Sequence, residues 1–154
     1  MHLVAVGKRM PAWIKQGYQE FNKRLTGEFQ LNLIEIPPAK KTKSLSGDVG
    51  RKQESDAIRK AIPASAFIIA LDETGKKLTS TEFASRLQRW QAQGNEVCFI
   101  IGGANGLDEA LKRSADVLIS LSDLTLPHAL VRIVLIEQLY RAWSILNHHP
   151  YHRE

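Results

Sequence analysis

Short apolar runs and helical periodicities take turns along this chain, and that alternation restricts the fold more than any other feature. The apolar runs are His2–Val6, residues 29–36, 66–71 and 96–101, and Val117–Ser120. They are short and rich in Val, Ile, Leu or Phe, as strands are. Helical patterns lie between them. Pro11-Ala12-Trp13 opens the first, with proline at a position suited to a first helical turn. Ile14, Tyr18, Phe21 and Leu25 then recur at three- and four-residue steps. A second helix is expected over residues 49–61. A third is expected over 80–93, with Phe83, Leu87 and Trp90 on one face, Thr79 or Ser80 to cap it and Gly94 to stop it. A short helix should follow Asp108, and the last should span residues 127–147. Strands that alternate with helices demand long crossovers, hence a mostly parallel sheet covered on both faces. The sequence thus predicts one α/β domain, residues 1–154, with five to six strands and helices on both faces.

Charge and cysteine usage exclude little. There are 21 Lys and Arg against 16 Asp and Glu, a net charge of +5. That balance suits a polyanion without demanding one. A single cysteine rules out an intramolecular disulfide. Cys98, inside Val97-Cys98-Phe99-Ile100-Ile101, reads as a small buried hydrophobe. No run reaches about 18 uninterrupted apolar residues. Arg132, Glu137 and Arg141 interrupt the last helix, and the N-terminal apolar run is too short for a signal peptide. A cytoplasmic protein with no membrane partner is expected. Residues 37–47 carry Lys40, Lys41 and Lys43 with two prolines and a glycine. They form either a solvated loop or a basic arm for a phosphate backbone.

The last helix is apolar around most of its circumference, with a narrow polar strip of Glu137, Arg141, Ser144 and His148. Such a helix needs cover on two sides. Either it lies at the centre of one domain or a second copy covers it, two-fold dimers being the commonest oligomers. Glu137 precedes Arg141 by four residues, so the two can pair along the strip.

Three strand-end loops could bind a ligand, since ligands of open α/β sheets sit beyond the carboxyl ends of strands. Gly102-Gly103-Ala104-Asn105-Gly106 allows close backbone approach but has neither the dinucleotide spacing nor a P-loop lysine. Ala70-Leu71-Asp72-Glu73-Thr74-Gly75-Lys76 is the second, with Asp72 read as a turn former. A phosphoacceptor reading fails because Gly7-Lys8-Arg9 follows the first strand where acidic metal ligands would be needed. Leu121-Ser122-Asp123-Leu124-Thr125-Leu126-Pro127-His128 is the third; its leucines could clamp a flat ring while backbone groups read the edge. His148, His149 and His152 lack the partners of a tetrahedral metal set, so no metal is expected. Ser122, Asp123 and His128 lack a nucleophile elbow, which argues against a hydrolase. His128 reads as a helix-start residue. A non-catalytic RNA-binding α/β domain would explain the charge but not three ligand-like loops.

The glycine turn, the 121–128 loop, Leu3-Val4-Ala5-Val6-Gly7-Lys8, Tyr140-Arg141-Ala142-Trp143-Ser144 and the tail His149-Pro150-Tyr151-His152-Arg153-Glu154 together resemble one family. It is the bacterial large-subunit ribosomal RNA pseudouridine N3-methyltransferases, minimal members of the SPOUT class. The resemblance spans the whole chain; Gly-Ala-Asn-Gly replaces the family's Gly-Pro-Glu-Gly but keeps its glycine frame. It implies a C-terminal trefoil knot, an exception to the rule against knots, and a homodimer. It implies S-adenosylmethionine held in a bent shape by Leu71, Gly102, Gly103, Ser122, Asp123, Leu124, Thr125, Leu126 and Pro127. The acceptor would be N3 of a pseudouridine in 23S ribosomal RNA, on the assembled ribosome because so short a chain has no separate RNA-recognition domain. His152 would handle the proton, Tyr151 would stack on or hydrogen-bond the base, and Arg153 would hold a phosphate or base oxygen. Arg141 and Glu137 would orient the tail or substrate, within one chain or across the dimer.

Overall fold

The computed structural model describes residues 1–40, 47–94 and 96–152. The apolar runs form strands β1 (His2–Val6), β2 (Asn32–Ile36), β3 (Phe67–Lys77), β4 (Val97–Ile101) and β5 (Val117–Ser120). Between and after them lie helices α1 (Ala12–Asn22), α2 (Gly47–Ala61), α3 (Ser80–Ala92), α4 (Glu109–Ser114) and α5 (His128–Leu146). The five strands make one sheet in the order β2-β1-β4-β3-β5, with every neighbouring pair parallel.

Residue alternation explains why both sheet faces are covered. Leu3, Ala5, Ile69, Phe99 and Ile101 join Tyr18 of α1, Phe83 and Leu87 of α3, and Leu135 and Leu139 of α5 in one core. Val4, Val6, Ala70, Cys98 and Ile100 join Ile58 of α2 and Leu111 of α4 in the other. Strands buried on both faces must be apolar throughout, and burying each large aliphatic side chain contributes roughly 1.5–3 kcal/mol. Cys98 lies fully inside the second core, and burial pushes its thiol up to about 12. Among the described residues no helix is long and apolar enough to cross a membrane.

Local chemistry sets the helix ends. Thr79 accepts from the Glu82 backbone N–H at 3.2 Å, and Glu82 accepts from the Thr79 N–H at 2.8 Å, a reciprocal capping box. Gly94 follows α3 at φ +78°. Asp108 caps α4 by accepting from the Leu111 N–H at 2.6 Å. Helix α5 runs beside α1 and α3 against the sheet.

Two boundaries differ from the sequence expectation. Strand β2 begins at Asn32 because Gly27–Phe29 closes into a 3₁₀ turn, with Gly27 at φ +58°. Strand β3 continues to Lys77 instead of ending in a turn after Leu71. Leu71 and Lys76 both register with Ile119, so residues 72–75 bulge out of the ladder. Asp72 shapes the bulge as a turn former does: its Oδ1 accepts from the Thr74 N–H at 3.0 Å and the Thr74 hydroxyl at 2.6 Å. A Cβ at Gly75 would overlap the Ile119 backbone, so only glycine lets the strands pass this closely.

Candidate active site

The bulge of β3 and the carboxyl ends of β4 and β5 open into a cavity of about 690 Å³. That is the size range of small-molecule and cofactor sites. Leu71 and the bulge residues Asp72 and Glu73 form one wall; residues 101–107 form another. The rest is residues 120–122 and 124–128 with Val131 and Lys112, and Arg51 reaches in from α2.

Glycine dictates the second wall. A Cβ at Gly102 would lie 2.5 Å from the Gly106 carbonyl carbon, and one at Gly103 would lie 2.5 Å from Glu54 Oε2. Gly106 takes φ +71°, and its N–H donates to the Gly103 carbonyl at 3.0 Å. The turn is therefore folded onto itself, presenting bare backbone to the cavity. Glu54 is held behind it by accepting from the Ala39 N–H at 2.9 Å.

The third wall is clasped to the β3 bulge. The Thr125 hydroxyl donates to Glu73 at 3.2 Å, and Asp123 pairs with Lys77. Ser120 donates to the Ser122 carbonyl at 2.8 Å, and Ser122 Oγ accepts from the Leu124 N–H at 2.9 Å. Leu124 remains 76% exposed at the rim. Lys112 pairs with Asp72 at 2.8 Å. Burial opposes ionisation of Asp72, yet Lys112 and Thr74 outweigh it and hold the carboxyl below its ordinary range. The same partnership raises Lys112 against its own desolvation.

Of the residues expected to hold a cofactor, Leu71, Gly102, Gly103, Ser122, Leu124, Thr125, Leu126 and Pro127 all line the cavity. Asp123 does not; it turns outward to Lys77.

The residues expected to act on the acceptor gather elsewhere. Arg141 Nε and Nη2 donate to Glu137 Oε1 at 3.0 and 2.7 Å, and the Tyr151 hydroxyl donates to the same oxygen at 3.1 Å. The Arg141 guanidinium lies 5.0 Å from the Tyr151 ring centroid, a cation–π arrangement. Tyr140 packs against Tyr151 at 4.7 Å, and His149 against Trp143 at 5.3 Å. His152 Nδ1 is buried with no hydrogen-bond partner among the described residues. Arg153 lies outside the described residues, as do Lys41 and Lys43; Lys40 is exposed. None of the tail cluster lines the cavity. Glu137 lies six positions after Val131, a rise of about 9 Å along α5.

Sequence reasoning missed four cavity or near-cavity groups. His128 begins α5, as expected of a helix-start residue, but also lines the cavity. Lys112 and Arg51 line it from helices that carried no ligand signal. Arg132, read as an interruption of an apolar helix, is 1% exposed. It donates to Glu35 Oε1 at 2.7 Å, the Val6 carbonyl at 2.9 Å and the Gly7 carbonyl at 2.7 Å. Its spacing of four from His128 was the available signal that both face the end of β1. Among the described residues no group of three or more His, Cys, Asp or Glu could hold a metal ion.

A parallel sheet with a cofactor-sized cavity walled by a glycine turn and a clasped loop defines a class. The family model described as "Predicted SPOUT methyltransferase" matches residues 1–152, and the chain belongs to that family; it is a methyltransferase whose donor is S-adenosylmethionine. A non-catalytic RNA-binding domain is thereby set aside. Within the class, the chain belongs with proteins named ribosomal RNA large subunit methyltransferase H. The relative from Janthinobacterium sp. (strain Marseille) is 50% identical over 151 residues, covering 98% of this chain and 97% of that one. The relative from Herminiimonas arsenicoxydans is 49% identical over the same shares. A probable methylase family protein from Haemophilus influenzae Rd KW20 shares the fold at TM-score 0.59 and 12% identity, over 99% of this chain and 70% of that one.

Proposed function

We propose that this protein methylates N3 of a pseudouridine in 23S ribosomal RNA, acting in the cytoplasm on the assembled ribosome as a homodimer with a C-terminal trefoil knot. The observation that carries the reading is the glycine-walled cavity joined to a chain that matches the methyltransferase H relatives along nearly its full length.

The cavity's walls suit the donor. Backbone at Leu71, Gly102, Gly103 and the 122–127 run would hold its adenosine, with the leucines against the ring. Asp123, facing Lys77, would act by holding the loop's shape and not by direct contact. When bound, S-adenosylmethionine supplies an electrophilic methyl group on a sulfonium.

The chain's own task is to place an imide nitrogen in line with that methyl and accept its proton. Orientation alone can contribute roughly 7–11 kcal/mol of the barrier, and a positioned base typically about 10²–10⁴-fold. His152 takes the proton in this scheme. Tyr151 contacts the base; its phenol is kept protonated by burial and by the Glu137 carboxylate, both of which raise it. Glu137 and Arg141 lock Tyr151 in place, and Arg153 grips a phosphate or base oxygen.

The tail cluster sits about two helical turns from its own chain's cavity. A second copy covering the partly exposed Leu130, Ile133 and Val134 of α5 would bring one subunit's tail to the other's cavity. The reading is tested by treating ribosomes from cells lacking this chain with purified protein and S-adenosylmethionine, then mapping methyl groups by mass spectrometry. One new methyl on one 23S pseudouridine is expected. Ribosomal RNA that gains no methyl would refute the proposed acceptor.

A further inference from the structure

The segment just after β1 leaves the core at a fixed point. Gly7 takes φ +115°, a conformation that L side chains rarely adopt. Its N–H donates to the Ile36 carbonyl at 2.7 Å, and its carbonyl accepts from the buried Arg132 at 2.7 Å. A Cβ there would meet Met10 at 2.6 Å and lie 3.7 Å from His128 Nε2. The Gly7 turn is thus rooted beside a residue that lines the cavity.

Beyond that root, Lys8, Arg9 and Lys15 are exposed, and Trp13 is 58% exposed in the first turn of α1. Residues 7–19 contain these three cations and no carboxylate. None of the three forms an ion pair among the described residues. Gly17 lies against Ile133 of α5: a Cβ at position 17 would come within 3.0 Å of Ile133 Cδ1. Trp13 is one turn earlier on the same face of α1. Both helices leave the carboxyl edge of the sheet, so Trp13 flanks the start of α5, where Pro127 and His128 line the cavity.

From this juxtaposition we infer that residues 8–15 form an RNA-contact surface at the cavity mouth, with Trp13 stacking on a nucleobase and Lys8, Arg9 and Lys15 taking phosphates. Aromatic rings interleaved with cations are the chemistry that grips unpaired RNA. Arg132 is the positioning residue that keeps the surface aligned with the cavity. The inference rests on ribosomal RNA being the acceptor, and it goes further by naming which face of the protein the RNA crosses.

The test uses the full chain and ribosomes from cells lacking it, with wild-type methylation measured first. If wild type fails to methylate, the proposed acceptor falls and the contact surface falls with it. If wild type succeeds, Trp13→Ala should raise KM for ribosomes roughly 5- to 150-fold. Trp13→Phe should recover most of the loss. The pair Lys8→Ala and Arg9→Ala should flatten the salt dependence of ribosome binding by about 1.4–1.8 in log–log slope. S-adenosylmethionine affinity by calorimetry and mass by sedimentation should stay at wild-type values throughout. The surface is overturned by an active wild type whose Trp13→Ala variant keeps its KM, or by an unchanged salt slope in the lysine–arginine variant. It is equally overturned if Trp13→Ala dissociates the protein, because a second copy would then be what covers that ring.

Discussion

A side chain at position 103 would need space already held by the Glu54 carboxylate and Val6. Gly103→Val should therefore push the glycine turn into the cavity and weaken S-adenosylmethionine binding at least about tenfold by calorimetry, overpacking of this kind costing roughly 1–3 kcal/mol. Binding at wild-type strength would mean that this wall does not touch the donor. Cys98 makes the opposite kind of prediction. Fully buried, with its thiol pushed up to about 12, it should resist disulfide reagents at neutral pH and react only on unfolding. Rapid labelling of the native protein would show that the second core opens. Both residues were legible in the sequence because their signals are local: glycine spacing at a strand end, and a cysteine inside an apolar run. Arg132 was not, because its burial depends on acceptors from Glu35, Val6 and Gly7, residues 97 to 126 positions away in the chain.

Among the elements, α3 and α4 were readable from their caps, since Thr79, Glu82 and Asp108 act within one turn. The β3 bulge was not. Asp72 announces a turn, but whether a turn ends a strand or bulges it depends on the partner strand, and β5 lies some 40 residues on. The bulge carries the Asp72–Lys112 pair that ties β3 to α4. Its pH behaviour comes from the lowered Asp72 carboxyl. That stabilisation is complete above the ordinary value of 3.8 and is lost as pH falls through the lower folded value. Urea unfolding of wild type and Asp72→Asn should differ by a constant amount at neutral pH, and the gap should close below about pH 4. A gap that persists unchanged in acid, or none at neutral pH, would show that the ionised pair is not the source of stability.

Across the whole molecule, the parallel direction of the strands could be argued from alternation, though not their order, and the three loops did converge on one cavity. The separation of tail from cavity could not be read from sequence, because it depends on how Tyr151 folds back onto Glu137. In the proposed homodimer a second copy would close that separation: α5 presents Leu130, Ile133 and Val134 only partly covered, and the described tail residues do not line their own chain's glycine-walled cavity. The most direct measurement mixes two defective subunits. One carries Gly103→Val, and the other lacks residues 151–154; each homodimer alone should leave ribosomal RNA unmethylated, while the truncated one still binds S-adenosylmethionine. Methyl transfer should return on mixing, with an intact cavity from the truncated subunit and an intact tail from its partner. Heterodimers that form yet stay inactive, or a truncated homodimer that methylates at the wild-type rate, would contradict a site shared between two subunits.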